Sequence, residues 1–191
     1  MTNVMKVMAG KPKIGGAAFR APTGTALPTD EKTTLPAAWL EQGYLSSDGL
    51  KQAISKAYTS IKAWGGDEVL NVRNEHGVKF SFTLIEALNA NVLTTVFGND
   101  VQITPATVQA GTKIALAYSG EEQDNSVWVF EIAYRKRVKR IVAANAQITT
   151  SDVTIEYKDD SIIAYPVELT CYPDANGKYF YEYTDDGVKS V

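Results

Sequence analysis

The side chains able to do chemistry are few in this sequence, and their spacing is poor for it. His76 is the only histidine and Cys171 the only cysteine among 191 residues. A hydrolytic triad would need that one histidine as its base. His76, however, stands beside Gly77 in Asn74-Glu75-His76-Gly77, which reads as a solvated hairpin turn. One His and one Cys also fall short of the usual zinc ligand sets, and a lone cysteine allows no internal disulfide. Cys171 lies in Leu169-Thr170-Cys171-Tyr172, an alternating strand pattern in which a thiol is buried and inert. Carboxylate pairs occur at Asp67-Glu68, Glu121-Glu122, Asp159-Asp160 and Asp185-Asp186, all in expected turns or the tail. Water solvates both charges there, so nothing separates their pKa values into an acid and a base. Glycine-rich phosphate loops are absent, and Asp124-Asn125 lacks the spacing of a calcium loop. No catalytic residue, cofactor or metal is expected.

The densest charge feature is Arg135-Lys136-Arg137-Val138-Lys139-Arg140, with five cations in six residues. It could contact phosphates, but it straddles an expected hairpin end and lacks interleaved aromatics. A contact with acidic residues of another subunit is the preferred reading, beside a merely solvated turn. Residues 1–29 carry Lys6, Lys11, Lys13 and Arg20 and no acid, which leaves 15 basic against 22 acidic residues beyond them. A cationic arm on an anionic body suggests contact between copies. The arm, taken as 1–38, holds Pro12, Pro22, Pro28 and Pro36 with Gly10, Gly15, Gly16 and Gly24, so neither helix nor central strand is expected there. It nonetheless carries Ile14, Phe19, Leu27 and Leu35, more large apolar groups than a free linker holds. These four, with Arg135, Lys136 and Arg137, are the candidate subunit-contact residues. Removal of 1–38 is expected to spare the fold of the body.

The elements follow from periodicity. Residues 50–64 are ambiguous: Ile54, Tyr58 and Ile61 recur at helical spacing, while 58–64 also suits a strand. Gly65-Gly66-Asp67 marks a turn, and 69–73 and 78–82 alternate with period two, giving a hairpin closed by 74–77. Thr83 and Glu86 have capping-box spacing, and Leu84, Leu88, Val92 and Val96 follow on one helical face up to Gly98. A helix is expected over about 84–97. Strands are expected at 112–118, 126–135, 138–148, 161–172 and 178–184, with Asp174-Ala175-Asn176-Gly177 turning between the last two. The fold class is therefore mainly β: an antiparallel sandwich or open barrel with one flanking helix and an extended N-terminal arm. The expected divisions are 1–38 arm, 39–184 β domain and 185–191 loose tail.

Hydrophobic residues at 45% and charged residues at 21% are ordinary globular usage, enough for a real core. A net charge of −3 and a pI near 5.3 argue against general nucleic-acid binding. No run approaches the roughly 20 apolar residues of a membrane span, and no signal-peptide stretch follows Lys6. Synthesis in the cytosol, without membrane association, is the expectation.

Three stretches in order resemble the major tail protein, or tail tube protein, of long-tailed bacteriophages with flexible, non-contractile (siphovirus-type) tails. They are Gly15-Gly16-Ala17-Ala18-Phe19-Arg20-Ala21-Pro22-Thr23-Gly24-Thr25-Ala26-Leu27-Pro28-Thr29; Trp39-Leu40-Glu41-Gln42-Gly43-Tyr44-Leu45-Ser46-Ser47-Asp48-Gly49-Leu50 followed by Ile61-Lys62-Ala63-Trp64-Gly65-Gly66; and Phe80-Ser81-Phe82-Thr83-Leu84-Ile85-Glu86-Ala87-Leu88-Asn89 ending at Phe97-Gly98. The resemblance covers about residues 10–98. It implies a non-enzymatic virion protein whose β-sandwich subunits, six to a ring, stack through the N-terminal arm and loops into a tube that conducts the genome. It implies self-association, contact with tape measure and tail terminator proteins, transient passage of DNA, and a strand over 55–64. The competing reading is a β-sandwich binding module of a phage tail that recognises a cell-surface carbohydrate or protein. Tyr179-Phe180-Tyr181-Glu182-Tyr183 would be its stacking platform.

Overall fold

A computed structural model describes residues 6–13 and 16–188. Among these described residues, ten strands and one short α-helix follow in the order β1 (Ala18–Pro22), β2 (Leu40–Glu41), β3 (Lys51–Lys62), β4 (Glu68–Leu84), α1 (Ala90–Phe97), β5 (Val101–Thr104), β6 (Lys113–Leu116), β7 (Ser126–Tyr134), β8 (Arg137–Ile148), β9 (Tyr165–Cys171) and β10 (Tyr181–Asp185). Eight strands form one antiparallel sheet in the order β2-β1-β7-β8-β9-β4-β3, and β10 also pairs with β8. The fork lies along β8: Val138–Val142 pair with β10, while Ala146–Ile148 pair with β9. The sheet does not close into a barrel; its layers are sandwich-like. β5 and β6 form a separate two-stranded sheet.

Strand β7 explains the core. Its run Val127-Trp128-Val129-Phe130 is buried on both faces, as expected for a continuous apolar strand covered on both sides. Trp128 and Phe130 point into the larger cluster with Phe80, Phe82, Leu84, Val92 and Leu169. The rings of Phe82 and Phe130 meet edge to face at 5.5 Å, a favoured aromatic geometry. Val127 and Val129 point the other way, to a smaller cluster with Ala21, Trp39 and Val142.

Several sequence expectations change. The first 38 residues contain a sheet strand: β1 pairs with β7 from Ala18 opposite Phe130 to Pro22 opposite Ser126. Its alternation supplies Ala18 to one cluster and Ala21 to the other. Pro22 is tolerated because it ends the strand. β4 is one strand of 17 residues, so 74–77 is not a turn. The chain reverses instead at 63–67, between β3 and β4, and 51–62 is a strand. The helix starts six residues later than expected. Thr83 and Leu84 stay in β4, and Glu86 accepts from the Tyr44 amide (2.8 Å) in place of closing a capping box. Asn89 caps the helix by accepting from the Asn91 amide at 3.0 Å. Gly98 ends it at φ +64°, a backbone angle that favours glycine.

Candidate assembly surfaces

The basic run separates into different roles once folded. Arg140 lies opposite Glu131 in the β7–β8 pairing and is 1% exposed. Its Nε donates to Glu131 Oε1 at 2.9 Å, and a second guanidinium nitrogen donates to the same oxygen. The remaining donors go to the carbonyls of Asp30 and Thr33, each at 2.9 Å. Lys13 Nζ reaches the other carboxylate oxygen of Glu131 at 2.6 Å. A buried guanidinium is tolerable only when satisfied in this way. The network ties the N-terminal segment to the sheet. Lys139 pairs with Glu182 at 2.6 Å, and Arg137 donates to the Val7 carbonyl at 2.9 Å. Arg135 and Lys136 are the two-residue turn itself, exposed and without a salt bridge among the described residues. Arg135 has φ +59° and its guanidinium lies 5.3 Å from the Tyr134 ring centroid.

The N-terminal candidates lie against their own chain. Phe19, Leu27 and Leu35 are half-buried on the smaller cluster beside Val129 and Val142. Lys13 and Lys11 also hydrogen-bond to the β7 backbone, with Lys13 N donating to Glu131 O and Lys11 O accepting from Ala133 N. Ile14 lies outside the described residues.

Sequence reasoning missed the most exposed surface. β9 covers β4 only from Val78 to Leu84, so among the described residues Glu68 to Gly77 pairs with β3 alone. The far half of this hairpin is thus two strands standing clear of the sheet. Ile61 is opposite Leu70 and Thr59 opposite Val72, which puts these four on one face. Ile61, Leu70 and Val72 are 46%, 54% and 43% exposed, and Trp64 at the turn is fully exposed. A two-stranded ribbon is marginal alone in water, and apolar groups gathered on it call for cover. The available signal was the alternation of 69–73, but nothing in the sequence says that no third strand lies beside it.

Chemical groups elsewhere are spent on structure. His76 lies within β4 and meets Tyr179 edge to face at 4.7 Å. Burial pushes the Cys171 thiol up to about 12, so it stays neutral and unreactive at ordinary pH. Tyr179 and Phe180 pack on the larger cluster, Tyr181 and Tyr183 on the smaller, which divides the suspected stacking platform between two cores. Among the described residues no group of three or more His, Cys, Asp or Glu could hold a metal, and no helix is long and apolar enough to cross a membrane.

The fold is β-rich, and its exposed surface includes the far half of the β3–β4 ribbon and the β7–β8 turn. Residues 9–190 match the family model of phage tail tube proteins, and the chain belongs to that family. No curated protein matches it. Among solved structures it is similar to the tube-terminating cap of the anti-feeding prophage, at 9% identity and TM-score 0.48 over 97% of this chain and 100% of that one. A likeness that remote carries none of the argument. Membership of the family makes this a structural component of a phage tail, located in the virion.

Proposed function

We propose that the chain is the repeating wall subunit of a tail tube, in which rings of six copies stack around a lumen that the genome traverses. The far half of the β3–β4 hairpin carries this reading. It extends about 33 Å beyond the third strand, at about 3.3 Å per residue over Glu68–Gly77. Both of its edges are unpaired among the described residues, and one face is apolar. A ribbon of that kind gains most by lying on an identical neighbour, where it covers apolar surface and can extend a sheet. Repetition of one heterologous contact closes a ring or grows a stack. An acidic body suits a lumen that anionic DNA crosses without sticking; beyond the first 29 residues, acids outnumber bases by 22 to 15. Phe19, Leu27 and Leu35 keep part of their surface open for a neighbour, and tape measure and tail terminator proteins would meet the tube at its ends.

Negative-stain electron microscopy of the full chain tests this. Rings or tubes about 100 Å or less across, set by protomer size and closure, are expected at high concentration. The triple variant Ile61→Ser, Leu70→Ser, Val72→Ser should remain a folded monomer. A wild-type chain that stays monomeric under all conditions, or a triple variant that polymerises as wild type does, would defeat the reading.

A further inference from the structure

The β7–β8 hairpin has two charged ends. β7 is nine residues long, so its ends lie about 30 Å apart. One end is the Arg135–Lys136 turn, with two exposed cations that no carboxylate neutralises among the described residues. The backbone there adds a second observation. Arg135 sits at φ +59°, where a β-carbon is strained and glycine is the natural choice. Folding alone would favour glycine at this position; an arginine there supplies charge instead.

The other end is the loop leading into Ser126. Glu121, Glu122 and Asp124 are exposed, and none has a salt bridge among the described residues. They line a groove together with Arg20 and the C-terminal turn of α1. The carbonyl end of that helix adds partial negative charge. Arg20 is the groove's own cation, but it is turned toward Thr95 and Trp128, donating to Thr95 Oγ1 at 3.4 Å with its charge 6.0 Å from the indole centroid. Gln123 donates its amide to the carbonyls of Thr95 and Val96 at 3.0 and 3.1 Å. Its Oε1 is buried and has no hydrogen-bond partner, an acceptor left over in the same groove.

We propose that copies of this chain join head to tail through these two ends: the Arg135–Lys136 turn of one copy enters the groove lined by Glu121, Glu122, Gln123 and Asp124 on the next. The occupant is a second copy because the chain carries both halves of the contact on opposite ends of one strand pair. That is the arrangement an open stack requires. Guanidinium and ammonium donors would meet three exposed carboxylates, and the pairing would fix direction as well as affinity. The proposal rests on the tube-subunit reading and adds the contact that joins copies along the stack.

Two charge-reversed proteins test it. Variant A carries Arg135→Glu and Lys136→Glu, and so is acidic at both ends. Variant B carries Glu121→Lys, Glu122→Lys and Asp124→Lys, and so is basic at both ends. Each should fold as the wild type does by circular dichroism, yet elongate slower by about tenfold or more because like charges now meet. An equimolar mixture of A and B should recover growth, with both proteins alternating in the product. Wild-type growth should also weaken as salt rises. A third variant, Arg135→Gly, should unfold no earlier than wild type while elongating more slowly. Growth of A or B alone at the wild-type rate would overturn the contact and leave the tube-subunit reading standing. So would failure of the mixture when wild type grows. A wild-type chain that never elongates would instead defeat the underlying reading.

Discussion

β7–β8 and the far half of β3–β4 are both antiparallel ribbons closed by short turns, yet only the first is a core. β7 has β1 on one edge and β8 on the other, and apolar clusters against both faces. Among the described residues the far half of β3–β4 has neither flanking strand nor cover, although Ile61, Leu70, Val72 and Trp64 would suit an interior. The contrast shows that burial follows from the number of neighbours a ribbon finds. A ribbon with apolar groups and too few neighbours within its own chain is built for neighbours from another.

The largest test of the contrast removes what covers β7. Loss of residues 1–38 takes away β1, the Lys13 partner of Glu131 and both carbonyl acceptors of Arg140. Sequence alone suggested that the body would survive this. The pairing of β1 with β7 predicts instead a loss of several kcal/mol, or failure to fold, measured by urea unfolding. A truncated chain with wild-type stability would mean the segment is only laid on the sheet.

Next comes the buried ion pair. Arg140→Ala should cost about 3–5 kcal/mol, because it strands Glu131 at 4% exposure without its guanidinium. Replacing both partners, as Arg140→Met with Glu131→Leu, should recover most of that loss, since buried pairs rarely outperform apolar packing. A double variant as unstable as the single one would assign the cost to lost contacts with Asp30 and Thr33. In the exposed ribbon, by comparison, Ile61→Ser should change monomer stability by only about 0.5 kcal/mol. A drop near that of Arg140→Ala would show that the ribbon packs within its own chain.

Much of this division was legible in the sequence. The continuous run at 126–130 and the alternation at 165–171 give buried strands directly, because side-chain period and burial coincide there. The Asp174–Gly177 turn is equally local in origin, with Asp174 accepting from the amides of Asn176 and Lys178. Three things were not legible. β1 is hidden by Pro22 and by the glycines on either side of it, and its pairing partner lies more than 100 residues away. The late start of α1 depends on Glu86 binding the Tyr44 amide, a contact no local pattern announces. The hairpin end at Arg135 and Lys136 was expected, but charge spacing does not reveal that Arg140 turns inward to Glu131.

Acid provides the smallest and most selective test of the difference between β7 and the elements around it. The Thr33 hydroxyl, then the Thr33 and Lys32 amides, hold the Asp30 carboxyl below its usual range. Lys32 does the same for Asp185, and the Tyr181 hydroxyl for Asp174. Each folded pKa lies below the unfolded value of about 3.9. Their stabilisation is therefore present above that value and is lost as pH falls through the folded pKa. All three carboxyls are half-buried at the surface and reached by water, so the global effect is small. Asp30, however, shapes the turn whose carbonyl Arg140 uses. Below about pH 4 the amides of Lys32 and Thr33 should lose hydrogen-exchange protection first, while those of Val129 and Val142, inside the sheet, keep theirs. Simultaneous loss in both places would show that the 30–33 turn and β7 open as one unit, and that the distinction between a covered ribbon and its cover does not extend to their dynamics.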